Sequence, residues 1–228
     1  LETRPSVMYS LTGQDHLHEE AELLHTLGFD AVYTTDPQLP LPVADAVIYP
    51  DMAQFHPLRF LNAVAKGLRI YEHTFVTALD GTTAVTAHGR VHAKTIIVAT
   101  HFPFLNRHGG YFLKLYQKRS YVIAYDNAPQ VGCTAEDAGS GCYFRNYGDL
   151  LLIGGGDHRT GRSGEGYAAA EAFARTWFPG VHERYRWSNQ DCMSLDGIPY
   201  IGRYCPAMPD VYVATGGNHW GLTTSMAA

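Results

Sequence analysis

A chain of 228 residues with a formal net charge of −5 has no basic surplus to lay along nucleic-acid phosphates, which argues against a nucleic-acid binder. Hydrophobic residues at 46% and charged residues at 17% are those of a globular protein with ample material for a buried core. No apolar run approaches the length that spans a bilayer, which removes a transmembrane helix.

The first helix is expected over residues 15–27, where Leu17, Ala21, Leu24 and Leu27 make one apolar stripe and Gly28 supplies a stop. A proline-rich connection, 37–42, leads to a short strand over 46–49. A second helix is expected over 57–66, because Pro57 suits a first helical position, whose N–H has no partner anyway. Strands are then expected over 68–72, 75–79, 84–88 and 91–100, with Asp80-Gly81 as a turn. The last of these ends in a run of consecutive apolar residues, the pattern of a strand buried on both faces in a parallel sheet.

From residue 111 to 153 the pattern changes to β-prone, aromatic-rich pieces at 121–125, 142–145 and 150–153, as in an antiparallel sheet with one exposed face. Tyr121, Tyr125 and Tyr143 read as that exposed face or as a cavity wall. A helix over 166–177, closed by Pro179-Gly180, is followed by strands near 184–187 and over 210–215. Gly216-Gly217 then turns the chain into a helix opening near Gly221. Met193 and Met226 suit core filling, and Trp187 and Trp220 suit either a core or a ligand face. The alternation of patterns fits one domain interrupted by another, or one irregular α+β domain.

Cys133, Cys142, Cys192 and Cys205 form no CxxC pair, so they propose no tetrahedral metal site and read as reduced thiols of a cytoplasmic protein. Cys133 and Cys142 flank a short loop across which they could meet. The twelve histidines are scattered, which gives a metallohydrolase little support, and no metal is expected. The opening residues, Leu1-Glu-Thr-Arg-Pro5, read as an internal stretch of a longer protein.

The most informative segment is Val211-Tyr-Val-Ala-Thr-Gly-Gly-Asn-His-Trp-Gly-Leu-Thr-Thr-Ser225. It reads as a buried strand, a glycine turn that permits close backbone approach, and a helix start with exposed N–H donors. Such an end suits a phosphate, a carboxylate or the charge that gathers on a reduced flavin, and equally a structural turn. Residues 96–100 end in the same Val-Ala-Thr, so two strands can finish side by side. Between them lies Leu195-Asp-Gly-Ile-Pro-Tyr-Ile-Gly202, a turn and a strand.

Together with His56-Pro57, Ile70-Tyr-Glu-His-Thr74 followed by Val76, and Leu151-Leu-Ile-Gly-Gly155, these pieces resemble, in order, the FAD-dependent oxidoreductases of the D-amino-acid oxidase, glycine oxidase and sarcosine oxidase superfamily. Asn218 followed by Trp220-Gly221 is similar to the branch often fused to a Rieske iron–sulfur domain. The resemblance implies that Val76 meets the adenine end of FAD, and that Ala99 and Thr100 are the strand end that contacts the cofactor. It implies that Gly216, Gly217, His219, Gly221, Leu222 and Thr223 form the loop around the pyrimidine edge of the isoalloxazine. The sequence departs from the family in placing His101 where glycine is usual.

The superfamily's Gly-x-Gly-x-x-Gly turn, which holds the pyrophosphate at a helix start, is not found in this sequence. Gly154-Gly-Gly156 follows a strand, but residue 159 is arginine and no helix opens there, so it reads as a strand and loop of the substrate side. Glycine-oxidase-like relatives hold the substrate carboxylate with an arginine just before the Asp-Gly-x-Pro turn, whereas that place here looks like Asp191. Arg145, His158, Arg159, Arg162 and His219 are the candidate replacements, and no catalytic residue is assigned.

The fold class that follows is α/β plus α+β: a remnant of an FAD-binding domain with an interleaved substrate domain on an antiparallel or mixed sheet. Residues 1–55 and 106–194 are expected to build the substrate domain, and 56–105 and 195–228 the FAD-domain remnant. The resemblance implies that the parent enzyme takes a hydride from the carbon beside an amine, reducing FAD and leaving an imine that water hydrolyses. Its partners would be a small amine substrate and an iron–sulfur domain or other electron acceptor, with no nucleic acid and no membrane. The chain itself is expected to hold FAD weakly and to be inactive. The alternative is a non-catalytic binding or scaffold domain derived from such an enzyme.

Overall fold

The computed structural model describes residues 1–105 and 108–228. Chain contacts divide it into two units: residues 1–66, 120–158 and 162–189 form the first, and 67–119, 159–161 and 190–228 the second. The fold is mixed α/β.

The first unit opens with β1 (Glu2–Thr3), β2 (Ser6–Ser10), α1 (Leu17–Thr26), β3 (Val32–Thr34), β4 (Asp45–Tyr49), β5 (Ala53–Gln54) and α2 (Pro57–Val64). The second carries β6 (Val76–Asp80), β7 (Thr83–Thr86), β8 (Gly89–His92) and β9 (Ile96–Val98). Then follow β10 (Leu115–Asp126), β11 (Thr134–Asp137), β12 (Tyr143–Tyr147), β13 (Leu150–Arg159), α3 (Tyr167–Trp177) and β14 (His182–Ser194). The chain finishes with β15 (Tyr200–Cys205), β16 (Met208–Thr215) and α4 (Gly221–Ala227).

An eight-stranded sheet runs in the order β14-β10-β13-β12-β11-β2-β4-β3. It is mixed, since β2 pairs with β11 in parallel, Val7 opposite Ala135, and with β4 antiparallel, Val7 opposite Ile48. The two-residue period of β2 sends Val7 and Tyr9 into one core and Met8 toward another. The first core packs Tyr9, Ile123, Phe144, Leu151 and Ile153 against Ala170, Phe173 and Ala174 of α3. The second seats Leu17 and Ala21 of α1 on Val47. Helix α1 therefore buries its stripe through Leu17 and Ala21, while Leu27 stays exposed beyond its end.

The second unit holds a three-stranded sheet in the order β15-β16-β9 and a separate β6-β7-β8 meander. Its core is Val98, Tyr111, Leu115, Cys192, Tyr204, Val211 and Val213. The Tyr111 hydroxyl donates to the Tyr204 carbonyl at 2.9 Å, and the Tyr204 hydroxyl to that of Leu105 at 3.0 Å.

Several expectations are corrected. Residues 68–72 form no strand, and 91–100 is two short strands because β8 pairs with β7 while β9 pairs with β16. The apolar run is buried on one face only: Val98 is 3% exposed and Ile97 68%. Tyr125 belongs to the buried core rather than to an exposed face, because β10 carries it beneath α3 with Ile123. Met226 and Trp220 lie exposed on and beside α4, and Trp187 is exposed on β14, so none fills a core.

All four cysteines are free thiols, and burial pushes Cys133 up to about 11 from an ordinary 9.0. A thiol kept neutral in the fold ionises more readily once unfolded, so its contribution is whole below pH 9 and fades as pH rises toward 11. Urea titrations across that range should show a loss approaching about 2 kcal/mol that Cys133→Ala removes. Equal pH slopes for the two proteins would contradict this.

Candidate active-site cleft

Strands β9 and β16 run parallel with Val98 opposite Val213, so their Ala-Thr ends, Ala99-Thr100 and Ala214-Thr215, leave the sheet side by side. Beyond them lies a cleft of about 310 Å³, within the size range of small-molecule sites. Its wall is made mostly of small residues, among them Ala99, Ala214, Thr215, Gly216, Gly217 and Gly221. The polar groups on it include His101, Asp191 and His219.

The turn after β16 has a demanding backbone. Gly216 has φ of 70°, and Asn218 and His219 follow at 49° and 68°, in the left-handed region that residues other than glycine, asparagine, aspartate and histidine seldom adopt. A Cβ on Gly217 would lie 2.7 Å from Gly221 Cα, so the turn folds back on the start of α4 too closely for a side chain. Across the cleft, His101 also stands at φ of 66°. The residue found where the family has glycine thus keeps a glycine-like backbone, and the Thr215 hydroxyl donates to its carbonyl.

Asn218 fastens this turn to the end of β14. Its Oδ1 accepts from the Ser194 N–H at 2.9 Å, and its Nδ2 donates to Ser194 Oγ and to the Gly216 carbonyl, both at 2.9 Å. Its own N–H donates to the Cys192 carbonyl at 3.2 Å. With the turn held there, His219 Nδ1 comes 3.1 Å from Asp191 Oδ2. Sequence reasoning used Asn218 only as a mark of the resemblance and foresaw neither its hydrogen bonds to Ser194 nor the His219–Asp191 pairing. The available signal was Asn-His after Gly-Gly, since asparagine tolerates the left-handed turn.

Of the residues singled out from the sequence, Ala99, Gly216, Gly217, His219 and Gly221 are brought together on this cleft. Thr100, Leu222 and Thr223 adjoin it in sequence without lining it, and Val76 starts β6 in the meander. Arg145 and His158 lie in the first unit and do not line it either. Arg145 donates to Gln54 Oε1 at 3.1 Å, and burial lowers its pKa. His158 Nε2 lies 2.9 Å from the Tyr121 hydroxyl. Arg159, in the second unit, stacks its guanidinium 5.2 Å from the centre of the Tyr116 ring, and Arg162 is exposed.

Residues 3–228 match the family described as FAD dependent oxidoreductase. The chain belongs to that family. A protein of Bacillus subtilis (strain 168), YhfW, described as a Rieske 2Fe-2S iron-sulfur protein, is 31% identical over 232 residues. That match covers 93% of this chain and 45% of YhfW, so the chain spans under half the length of this curated relative. Among solved structures, glycine oxidase from Geobacillus kaustophilus superposes with a TM-score of 0.82 at 20% identity, over 98% of this chain and 69% of that one. L-proline dehydrogenase from P.horikoshii gives 0.78 at 14% identity, over 94% and 67%. At such identities the likeness shows the fold. It agrees with the resemblance read from the ordered motifs.

Proposed function

We propose that this chain forms the substrate-facing part and the ring-binding end of a flavoenzyme that oxidises an amine or amino-acid-like substrate. In this reading residues 56–105 and 195–228 serve the flavin side, and 1–55 and 106–194 the substrate side. The observation that carries it is the cleft where β9 and β16 end together, walled by alanine and glycine. Small side chains let a flat ring approach the backbone, so the residues present fit the isoalloxazine. Ala99, Gly216, Gly217, His219 and Gly221 would hold it, with Thr100, Leu222 and Thr223 behind them and Val76 toward the adenine. When bound, the flavin supplies a two-electron acceptor for a hydride from the carbon beside the amine.

The chain's own contribution is placement. A hydride moves only when the C–H bond is held against its acceptor, and a rigid turn latched by Asn218 fixes one wall of the space in which that happens. The description of YhfW supports an iron–sulfur centre in a longer protein as the electron acceptor.

Because the sequence has no Gly-x-Gly-x-x-Gly turn, the pyrophosphate adds little to binding here. Titration with flavins, followed by quenching of their fluorescence, should therefore give riboflavin and FAD affinities within about tenfold of each other, a gap of about 1.4 kcal/mol or less. Stoichiometric FAD surviving desalting would overturn the weak-binding part. Binding of neither flavin would overturn the ring site and favour a non-catalytic domain.

A further inference from the structure

Strand β12 buries Phe144 and Asn146, Phe144 in the core beneath α3, and so presents Tyr143, Arg145 and Tyr147 on the opposite face of the large sheet. Arg145 is half-buried there. Thr134 and Leu152 stand opposite it on the two neighbouring strands, and the Tyr143 ring lies over Gly154, where a side chain would collide with it. Arg145 Nη1 donates to Gln54 Oε1 at 3.1 Å. Gln54 is itself held: β5 pairs it with Glu2 of β1, and its Nε2 donates to Glu2 Oε2 at 2.8 Å. The same Glu2 oxygen also faces Arg4 Nε, at 3.7 Å. Arg145 makes no ion pair among the described residues. A guanidinium carries five donors in a rigid fork, and one taken partly out of water with no anion beside it is costly to the fold. Burial lowers its pKa for the same reason.

We propose that Arg145 anchors a small carboxylate ligand on this face of the first unit. None of the residues around it lines the cleft at the ends of β9 and β16, so the site does not rest on the flavin reading. Gln54 engages Nη1 and fixes the plane of the guanidinium, which leaves the Nε–Nη2 edge for two parallel hydrogen bonds to the two oxygens of a carboxylate. The ligand supplies the negative charge that the chain itself does not place there. Leu152 and the Tyr143 ring offer apolar surface to the body that carries the carboxylate. The anchor is built in advance, because the β1–β5 pairing holds Gln54 whether or not a ligand is bound, and little ordering is left to pay on binding. A neutral ligand of the same shape gains no charge-assisted pair from the fork, and that difference sets the selectivity.

The test is calorimetric titration of the whole chain with benzoate and with benzamide, which share a shape and differ in charge. Benzoate should bind at least about tenfold more tightly than benzamide, and Arg145→Met should abolish that preference. Arg145→Lys keeps the charge without the fork and should weaken benzoate several-fold. Inorganic phosphate is the third probe, and it should bind more weakly than benzoate. Benzamide binding as well as benzoate overturns the proposal, and so does a folded Arg145→Met protein that keeps the preference. Phosphate binding as tightly as benzoate also overturns it, since the site would then be one for any anion. Should Arg145→Met fail to fold, Arg145→Lys decides: benzoate affinity equal to that of the wild type overturns it. Riboflavin titration of the same samples reads the flavin site separately. A protein that binds riboflavin without preferring benzoate therefore sinks this site alone, and the reverse result sinks the flavin reading alone.

Discussion

Gly156→Ala is expected to lower stability by more than about 3 kcal/mol, or to prevent folding of the first unit altogether. Two independent costs meet at this position. Its φ of 70° is in the left-handed region, where an L side chain is strained by about 1 kcal/mol or more. A Cβ there would also lie 2.2 Å from the Gly166 carbonyl oxygen, a backbone atom at the entry to α3 that has no rotamer to escape into. Either β13 or α3 must move, and α3 carries Ala170, Phe173 and Ala174 of the core. Gly148→Ala is the control. It has φ of 56° with nothing within 4 Å of its added carbon, so it should cost only the backbone strain, about 1 kcal/mol. Urea unfolding of the two variants measures the difference. Equal midpoints would show that the close approach is not felt.

Gly156 and the two glycines before it show how far the sequence could be read. Gly154-Gly155-Gly156 is set apart from a phosphate-binding turn because no helix opens on it. The structure gives the physical reason for each one. A side chain at 154 would run into the Tyr143 ring at 2.1 Å and one at 155 into Cys142 Sγ at 2.8 Å, while 156 faces Gly166. Their partners, Tyr143, Cys142 and Gly166, lie on a neighbouring strand, at its start and at the entry to α3, so a pattern read along the glycines alone does not show them.

Helices α1, α2 and α3 are legible to within about three residues at either end because each joins an apolar period to a stop or start residue. Strand β2 is not legible, although it lies in the interior of the large sheet. Its five residues, Ser6–Ser10, face cores on both sides, so the apolar–polar alternation that marks a half-buried strand never appears. Strand β11 is hidden for a different reason: Thr134–Asp137 is short, acidic and poor in β-branched residues, and it is a strand because β2 and β12 hydrogen-bond to it on either side. In the cleft, the shared Val-Ala-Thr endings of β9 and β16 could be seen, and the two strands do pair in parallel. What the sequence hid was the register of β14 against the following turn. That register decides that Asp191 meets His219 and that Ser194 meets Asn218.

That last contact carries the second large effect. Asn218→Ala is expected to cost about 3 kcal/mol and to loosen the cleft wall. It removes the acceptor of the Ser194 N–H, where Ser194 is 5% exposed, and leaves that donor unpaired in a site water reaches poorly. It also removes both donors of the side-chain amide and puts alanine at a φ of 49°, which asparagine tolerates better. Two further variants separate these terms. Asn218→Gly keeps the left-handed backbone free of strain and loses only the hydrogen bonds, so it should fall about 1 kcal/mol short of the alanine variant's loss. Asn218→Asp keeps an acceptor for Ser194 but sets a carboxylate against the Gly216 carbonyl, and it should lie between wild type and Asn218→Gly. Thermal and urea unfolding rank the series, and riboflavin titration reports whether the wall keeps its shape. If Asn218→Ala unfolds like wild type and binds riboflavin equally well, the turn is held by its backbone alone, and the latch assigned to this side chain is wrong.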